Sequence, residues 1–340
     1  MKTKNCLIFI VCSALYINTG FAQDFHFSHY DANPLYLNPA LTSEQIMKDD
    51  ENAMQFNINY RDQSGNYNKG VGKNQSIASG LSLALNKRFS IGEYIINNRS
   101  VDGAFNTLNF MLSGAYKIID SENDKDSRHN LSVGLQVGFM QKSFKPQNLV
   151  FDAQYSPSAA DGFDESLANG ENFENQSLLN FDANMGVYYR TTFSDNKISP
   201  FIGFSLYHIT RPKESFYGEK NYTPMRINIH GGAYIKAGEE LTFLPQFLYM
   251  NQAKANELNI GTLLFYKIKD TNYEPLIGIN WRNKNAVVMQ FGLKTKSAIF
   301  RMSYDFNIYY LKKYNNRALE FSIIYNVKRK NKSDLNASFL

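Results

Sequence analysis

Few residues have side chains of the types that catalyse reactions or bind metals, and their spacing fits such sites poorly. His26 and His29 form a His-x-x-His pair that could ligate a metal ion, with Asp24 and Asp31 as the nearby acids. Two polar residues in an extended segment account for this pair better than a metal site does. His230 with a serine of the same polar row could imitate a hydrolase site, but one histidine among many polar side chains is weak evidence for catalysis.

An acidic run resembles the start of a calcium loop. Asp120, Glu122, Asp124 and Asp126 alternate along it, yet the central glycine is missing and Leu131 stands where the twelfth-position Glu belongs. A solvated hairpin loop explains the run better. The sequence also lacks a phosphate-cradling glycine motif, a CxxC motif and a nucleophile elbow. We therefore expect no catalytic residues, no metal and no cofactor.

The elements that carry the polar residues show strict alternation of apolar and polar side chains. In one example Met54, Phe56 and Ile58 alternate with Gln55 and Asn57, which places the two sets on opposite faces of a strand. Thirteen segments show this pattern: 52–61, 76–89, 106–119, 130–144, 180–193, 198–210, 226–237, 241–252, 256–268, 275–282, 286–295, 299–310 and 318–328. Many reach the roughly 9–11 residues that cross a bilayer at a tilt.

Two architectures fit this alternation: a soluble β-sandwich and a transmembrane barrel. The barrel is favoured by the long strands, the polar rows and the aromatic residues at strand ends. These aromatics are Tyr60, Tyr188, Tyr189, Tyr249, Tyr266, Tyr309 and Tyr310. We predict an all-β protein, a transmembrane antiparallel β-barrel of fourteen strands within a range of twelve to sixteen, with a non-strand N-terminal segment.

The count of thirteen is odd, whereas bacterial single-chain barrels have an even number of strands. Either Leu149–Tyr155 is a further strand, or one counted segment is a loop. Pro245 lies inside a counted strand and cannot donate a ladder hydrogen bond, so it marks either a bulge or a split strand.

The chain divides into four parts. Lys2, Lys4, the apolar run Cys6–Ile17 and Gly20-Phe21-Ala22 predict a signal peptide over residues 1–22, with cleavage between Ala22 and Gln23. Residues 23–50 are the non-strand segment, residues 51–328 the barrel, and residues 329–340 a basic and polar tail. Removal of the leader takes away both cysteines and lowers the formal charge from +5 to +3, which gives no indication of nucleic-acid binding.

Charged residues recur on the polar faces, where a barrel would direct them into its lumen. They are costly at membrane depth unless they face water or each other. Two readings remain open: an ordinary lumen lining of paired charges, or a lumen plugged by protein that the charges hold. The candidate lumenal residues are Arg61, Asp182, Arg190, Arg226, His230, Arg282, Arg301, Asp305 and Glu320.

The stretch "NPLYLNPA", residues 33–40, carries two Asn-Pro pairs around Leu35, Tyr36 and Leu37. Proline removes an N–H and disfavours helix in the preceding residue, so this stretch should not be a wall strand. We expect its three large side chains to pack into the lumen or against its periplasmic mouth, where they anchor a plug or a partner surface.

The same stretch resembles the N-terminal signature of the PorP/SprF family of Bacteroidota. Tyr30, Asn33, Pro34, Tyr36, Asn38, Pro39 and Ala40 match that signature, with Leu35 and Leu37 between them. Later matches, in order, are Asn59-Tyr60-Arg61, Phe181-Asp182 with Gly186, His208 with Pro212, His230-Gly231-Gly232, Leu244-Pro245, and Ser303-Tyr304-Asp305 with Glu320. The sequence departs from the family pattern at Gln63-Ser64 and at Tyr309.

This resemblance implies an outer-membrane protein of a Gram-negative bacterium, associated with type IX secretion and gliding. The implied partners are outer-membrane lipid and either secreted adhesin-type cargo with a type IX C-terminal domain or periplasmic ring and peptidoglycan-binding subunits. Its role would be to help secrete or anchor the cargo, or to link to the ring. The alternative is a porin that passes small solutes.

Overall fold

The computed structural model describes residues 24–42, 52–63, 72–121, 127–159, 162–193, 197–217, 220–283, 286–308 and 317–328. Several predicted features lie outside these residues. They are the signal peptide 1–22 with its cleavage site at Ala22 and Gln23, residues 43–50, Ser64, the acidic residues Glu122, Asp124 and Asp126, the strand-end aromatics Tyr309 and Tyr310, and the tail 329–340.

Within the described residues the chain forms fourteen strands. They are β1 (Asn52–Gln63), β2 (Asn74–Ala84), β3 (Phe89–Ser100), β4 (Phe105–Asp120), β5 (Ser127–Phe144), β6 (Ser177–Phe193), β7 (Ile198–Tyr207), β8 (Arg226–Ala237), β9 (Leu241–Gln252), β10 (Ala255–Tyr266), β11 (Glu274–Arg282), β12 (Ala286–Lys294), β13 (Ala298–Asn307) and β14 (Arg317–Lys328). Each pairs antiparallel with the next, and β1 pairs with β14, which closes the barrel. The predicted fold is confirmed.

The two faces of each strand divide as the alternation predicts. In β5, Leu135 is 63% exposed on the outer face, whereas Gln136 beside it is 1% exposed and faces the lumen. Closure leaves no sheet edge unpaired, which is the condition for a sheet to stand in lipid. Tyr188 is an exception to the expected aromatic belt, because it faces the lumen and is buried.

The strand that alternation missed is β3, and the proposed extra strand at Leu149–Tyr155 is wrong. In β3 the lumenal row includes Tyr94 and Ile96, so apolar residues stand on both faces and the period of two is weakened. Residues 149–155 belong instead to the long connection 145–176, which contains two short 3-10 helices, Pro146–Asn148 and Asp152–Gln154.

Pro245 neither splits β9 nor creates a bulge. The strand runs unbroken, and its pairing with β10 includes Pro245 opposite Thr262. On the β8 side, pairing stops after Gly232 opposite Gln246 and resumes in the same register at Ile235 opposite Phe243. Pro245 therefore interrupts the hydrogen-bond ladder between β8 and β9 without changing the register of the two strands.

The connections differ between the two ends of the barrel. At the end where β1 begins and β14 finishes, no connection exceeds seven residues. The opposite end carries the longest ones, 145–176 and 208–225. Among the described residues, no helix has the length and apolar composition needed to cross a bilayer.

The segment before β1 folds inside the barrel. Residues 24–42, here called the plug, form a 3-10 helix (Tyr30–Ala32), a one-turn α-helix α1 (Pro34–Leu37) and a second 3-10 helix (Pro39–Leu41). Pro34 and Pro39 each occupy the first helical position, where a missing N–H costs nothing. The two Asn-Pro pairs thus start two short turns and keep the segment out of the wall.

Candidate functional site

The plug is anchored in the lumen by two apolar clusters. Leu35, 1% exposed, packs with Phe27 of the plug and with Tyr94 and Ile96 of β3. Leu37 packs on the other side with Tyr188 and with Leu248 and Met250 of β9. The two leucines on either side of Tyr36 therefore contact opposite parts of the wall. Tyr36 itself contacts the polar cluster around Asp24 that is described below.

A cluster of four buried charges holds the beginning of the plug. Arg61, Arg282, Asp305 and Glu320, here called the four-charge cluster, come from β1, β11, β13 and β14. Asp305 Oδ2 lies 2.9 Å from Arg61 Nη2 and 2.8 Å from Arg282 Nη2, and Arg61 Nη1 lies 3.1 Å from Glu320 Oε2. Two cations thus balance two anions, as burial of charge requires.

The plug completes this cluster through Ser28 and the backbone beside it. The Ser28 hydroxyl lies 2.8 Å from both carboxylate oxygens of Asp305 and accepts a hydrogen bond from Arg61 Nη1 at 2.7 Å. The backbone N–H groups of Ser28 and His29 donate to Glu320 at 2.6 and 2.9 Å. The cluster therefore binds this one turn of the plug by its backbone as well as by its side chain.

A second polar cluster holds the plug's first described residue. His208, which follows β7, lies between Asp182 of β6 (Nδ1 to Oδ2, 2.6 Å) and Asp24 of the plug (Nε2 to Oδ2, 2.8 Å). Arg226 Nη1 lies 3.1 Å from the same Asp24 oxygen and donates to the Tyr36 hydroxyl at 2.5 Å. The Arg226 guanidinium also stacks 4.4 Å from the centre of the Tyr36 ring.

The charges around Asp24 shift both partners toward their ionised forms. Burial alone would lower the pKa of His208, but the Asp24 and Asp182 carboxylates outweigh it and raise the pKa to about 9. Burial alone would raise the pKa of Asp24, but His208 and Arg226 hold it well below its usual range. The contact is therefore an ion pair at neutral pH.

Asn38 fixes the middle of the plug against β6, β7 and β8. Its amide donates to the Val187 carbonyl at 2.9 Å and lies 3.1 Å from Nε2 of His230, and its carbonyl accepts the Ala40 N–H. The wall makes room with glycine: a Cβ on Gly186 would lie 2.0 Å from Asn38 Oδ1. Gly134, paired with Gly186 across β5 and β6, leaves similar space for Pro39.

The remaining predicted residues divide into two groups. Arg301 contacts the plug, with Nη1 at 2.9 Å from Asp31. Asn33 accepts a hydrogen bond from Asn57 of β1 at 2.9 Å. Arg190 faces the lumen away from these contacts, and its guanidinium lies 5.4 Å from the centre of the Tyr234 ring. All nine predicted lumenal residues are buried, and eight of them belong to the network that holds the plug.

Sequence reasoning missed several residues of this site. Asp24 was considered only as an acid near the His26 and His29 pair, and Ser28 carried no signal, because isolated acids and serines are common in any sequence. The glycines carried a usable signal, since Gly134 and Gly186 both occupy a lumenal row, where a side chain is otherwise expected. Glycines at paired positions on neighbouring strands indicate that the backbone of another segment approaches the wall there.

The two histidines considered for metal binding have separate partners. His26 Nδ1 lies 3.1 Å from Glu257 of β10, and His29 Nδ1 lies 2.9 Å from the Ser322 hydroxyl of β14. In the part of the chain that the structure describes, no three His, Cys, Asp or Glu side chains are grouped to hold a metal ion. The chemistry of the site is ion pairing and hydrogen bonding between plug and wall.

Solved structures with the same fold are barrels of similar size. The toluene transporter TbuX of Ralstonia pickettii aligns over 92% of this chain and 96% of its own, with a TM-score of 0.52 and 9% identity. A TodX deltaS2S3 mutant monoaromatic hydrocarbon channel aligns over 87% and 94%, with a TM-score of 0.51 and 9% identity. At such identities the likeness establishes the fold alone.

The sequence comparisons are more specific. No curated protein matches the chain. The family described as "Type IX secretion system membrane protein PorP/SprF" matches residues 19–325, a range that includes the plug and nearly all of the barrel. The chain therefore belongs to the PorP/SprF family of type IX secretion system membrane proteins.

Proposed function

We propose that this protein is a non-enzymatic outer-membrane component of type IX secretion and gliding. It binds a large secreted surface protein of the adhesin type, which it helps to export or anchor, or it links the membrane to periplasmic ring subunits. The observation that carries this proposal is the family match over nearly the whole chain. The plug also supports it. Its residues contact almost every strand of the barrel, and this arrangement fits a lumen that is closed to free diffusion.

The barrel ends support an assignment of sides. Outer-membrane barrels have short turns on the periplasmic side and longer loops outside the cell. The end with connections of at most seven residues, where β1 begins, is then periplasmic. The long connections 145–176 and 208–225 face outward, where secreted cargo would be met.

The described residues of these two connections pack together. Phe144 packs against Phe173 and Phe216 with both ring-centre distances at 4.6 Å, and Lys142 pairs with Glu214. Tyr155 and Tyr217 remain 61% and 52% exposed on this surface. Exposed aromatic residues are typical of protein-binding surfaces.

The alternative, a porin for small solutes, needs an open lumen. The two roles make different predictions for an affinity-tagged protein purified from its native membrane. Our proposal expects it to carry a protein with a type IX C-terminal domain, or the ring subunits. A Tyr155→Ser/Tyr217→Ser variant should lose the cargo, whereas the exposed-loop control Ser158→Ala should retain it. A protein that carries neither partner and conducts ions steadily in planar bilayers would be a porin instead.

A further inference from the structure

One lumenal arginine takes no part in holding the plug. Arg190, near the end of β6 assigned above to the periplasm, is 5% exposed and pairs with no carboxylate in the described part of the chain. Asp120, two strands away on β4, is already bonded by Lys117 Nζ at 3.7 Å and by Arg128 Nη2 at 3.1 Å. Because a buried cation without an anion is costly, Arg190 is suited to bind one.

A second unsatisfied donor stands in the same lumenal row. Strand pairing places Arg190 opposite Phe201, Phe201 opposite Gly232, and Gly232 opposite Gln246. Gln246 of β9 is 6% exposed, and neither its Nε2 nor the Nε of Arg190 has a hydrogen-bond partner. Gly232 carries no side chain, so β8 places nothing between the two donors at this level. An oxygen ligand here would satisfy buried N–H groups that otherwise cost folding free energy.

A cavity of about 110 Å³ adjoins this row. Phe201 and Gln246 of the row line it, together with Tyr188 and Tyr234. The centre of the Tyr234 ring lies 5.4 Å from Cζ of Arg190. Arg190 therefore lies at the edge of the cavity, one aromatic ring away from its interior.

The lining of the cavity is part apolar and part polar. Leu244, Leu263 and Phe265 of β9 and β10 belong to one buried apolar cluster. Most polar side chains around the cavity already have partners: Asp31 with Arg301 at 2.9 Å, Gln55 with Asn326 at 2.9 Å, and His230 with Asn38 at 3.1 Å. Arg301 keeps further N–H groups without a partner, but Asp31 balances its charge. The unbalanced charge beside the cavity is that of Arg190.

These features define a ligand by its chemistry. One unbalanced guanidinium matches one negative charge, and its planar N–H groups bind both oxygens of a carboxylate in parallel hydrogen bonds. The apolar cluster beside it suits a hydrocarbon group, which a volume of about 110 Å³ limits to a few carbon atoms. A ligand of this kind carries a carboxylate and a short apolar group next to each other.

We propose that Arg190 and Gln246 form a binding site for an organic carboxylate with a short apolar group, at the periplasmic end of the lumen. The carboxylate accepts hydrogen bonds from the Arg190 guanidinium and the Gln246 amide. The apolar group packs in the cavity against Leu244 and Leu263. A free carboxylate and the C-terminal residue of a polypeptide both carry these two groups. The site lies apart from the plug contacts and from the outward connections, and only the word periplasmic rests on the assignment of ends made above.

Isothermal titration calorimetry of the full-length protein in a non-ionic detergent tests the site with small probes. N-acetylleucine carries a carboxylate and an isobutyl group, as the last residue of a polypeptide does. N-acetylglycine lacks the isobutyl group, N-acetylleucinamide lacks the charge, and hexanoate carries the carboxylate on a free chain. These probes need no secretion partner, so a negative result bears on this site alone and leaves the proposed function standing.

Arg190→Gln removes the cation from the site. Arg88→Gln is the matched control, because it makes the same change of charge at an exposed arginine of the β2–β3 turn, at the same end of the barrel. We expect the carboxylates to bind wild type and Arg88→Gln alike, and to bind Arg190→Gln about tenfold more weakly or worse, as loss of a hydrogen bond to a charged group predicts. Heat-dependent gel migration checks that each variant forms the barrel.

The probe series on the wild-type protein decides the matter even where a variant fails to fold. Whichever of N-acetylleucine and hexanoate binds more tightly should also bind more tightly than N-acetylglycine and N-acetylleucinamide. Preference for hexanoate assigns the site to free carboxylates, and preference for N-acetylleucine assigns it to the end of a polypeptide. Equal binding of N-acetylleucine and its amide, no binding of either carboxylate, or unchanged binding in a folded Arg190→Gln variant would overturn the proposal.

Discussion

At the scale of single residues, the plug is held by buried charges that are balanced only in the folded barrel. Arg61 contacts Asp305, Glu320 and the Ser28 hydroxyl at once, and it is 4% exposed. Removal of one partner leaves the others buried without compensation, which costs far more than the intact pair contributes. Single substitutions should therefore have large effects.

Arg61→Ala should destabilise the folded protein by about 3–5 kcal/mol, because two carboxylates lose their shared cation. Urea unfolding in detergent, followed by tyrosine fluorescence or circular dichroism, measures this difference. Arg88→Ala, at an exposed arginine in the β2–β3 turn, is the matched control and should stay within about 0.5 kcal/mol of wild type. Equal midpoints for the two variants would contradict the account.

Gly186→Val should displace the middle of the plug, because a Cβ at this position would lie 2.0 Å from Asn38 Oδ1. Gly114→Val is the control, since a Cβ there meets nothing within 4 Å. Limited proteolysis of the refolded proteins should cleave the plug faster in Gly186→Val only. Equal protection in both variants would show that Asn38 does not hold the plug.

The pair of Asp24 and His208, both outside the strands, predicts a pH window for plug docking. His208 contributes stability fully below its ordinary pKa of 6.5 and loses it as the pH rises through about 9. Asp24 contributes stability above its ordinary pKa of 3.8 and loses this contribution as the pH falls below that value. Plug protection should thus weaken on the alkaline side of pH 9.

His208→Gln should abolish this alkaline transition, whereas His129→Gln, a histidine at the start of β5, should retain it. Hydrogen exchange of the plug amides on either side of pH 9 measures the effect. An alkaline transition that survives in His208→Gln would assign it to another group.

At the scale of elements, alternation predicted the strands wherever the lumenal row is polar. It failed at β3, whose lumenal row carries the apolar side chains of Tyr94 and Ile96 where it packs on the plug, so that the alternation is broken there. The prolines of residues 33–40 predicted a segment outside the wall, and the charged rows predicted lumenal residues. The pairing of Asp24 with His208 was not predictable, because it joins residues 184 positions apart whose proximity depends on closure of the whole barrel.

The side chains that anchor the plug should not be needed for formation of the barrel wall. A Leu35→Ser/Tyr36→Ser/Leu37→Ser variant removes both apolar contacts of α1, but none of the ladder between strands. We expect this variant to insert as a barrel, with heat-dependent gel migration intact, and to lose cargo attachment or complex assembly. Failure to form the barrel would show that the plug is needed for the wall itself.

At the scale of the whole molecule, a closed wall and a plug bound to nearly every strand make one unit. Polar contacts reach the plug from β1 (Asn57), from β3 (Ser90), from β8 (Arg226) and from β14 (Glu320), on different sides of the lumen. We expect such a barrel to present two surfaces with little free passage between them. This expectation separates the proposed binding component of a secretion system from a diffusion channel.

Ion conductance in planar bilayers tests this claim most directly. The wild-type protein should show little steady conductance, and Arg61→Ala/Gly186→Val, which loosens the plug at two points, should open steady channels. A wild-type protein that conducts as steadily and as strongly as this variant would contradict the account, because its lumen would already be open.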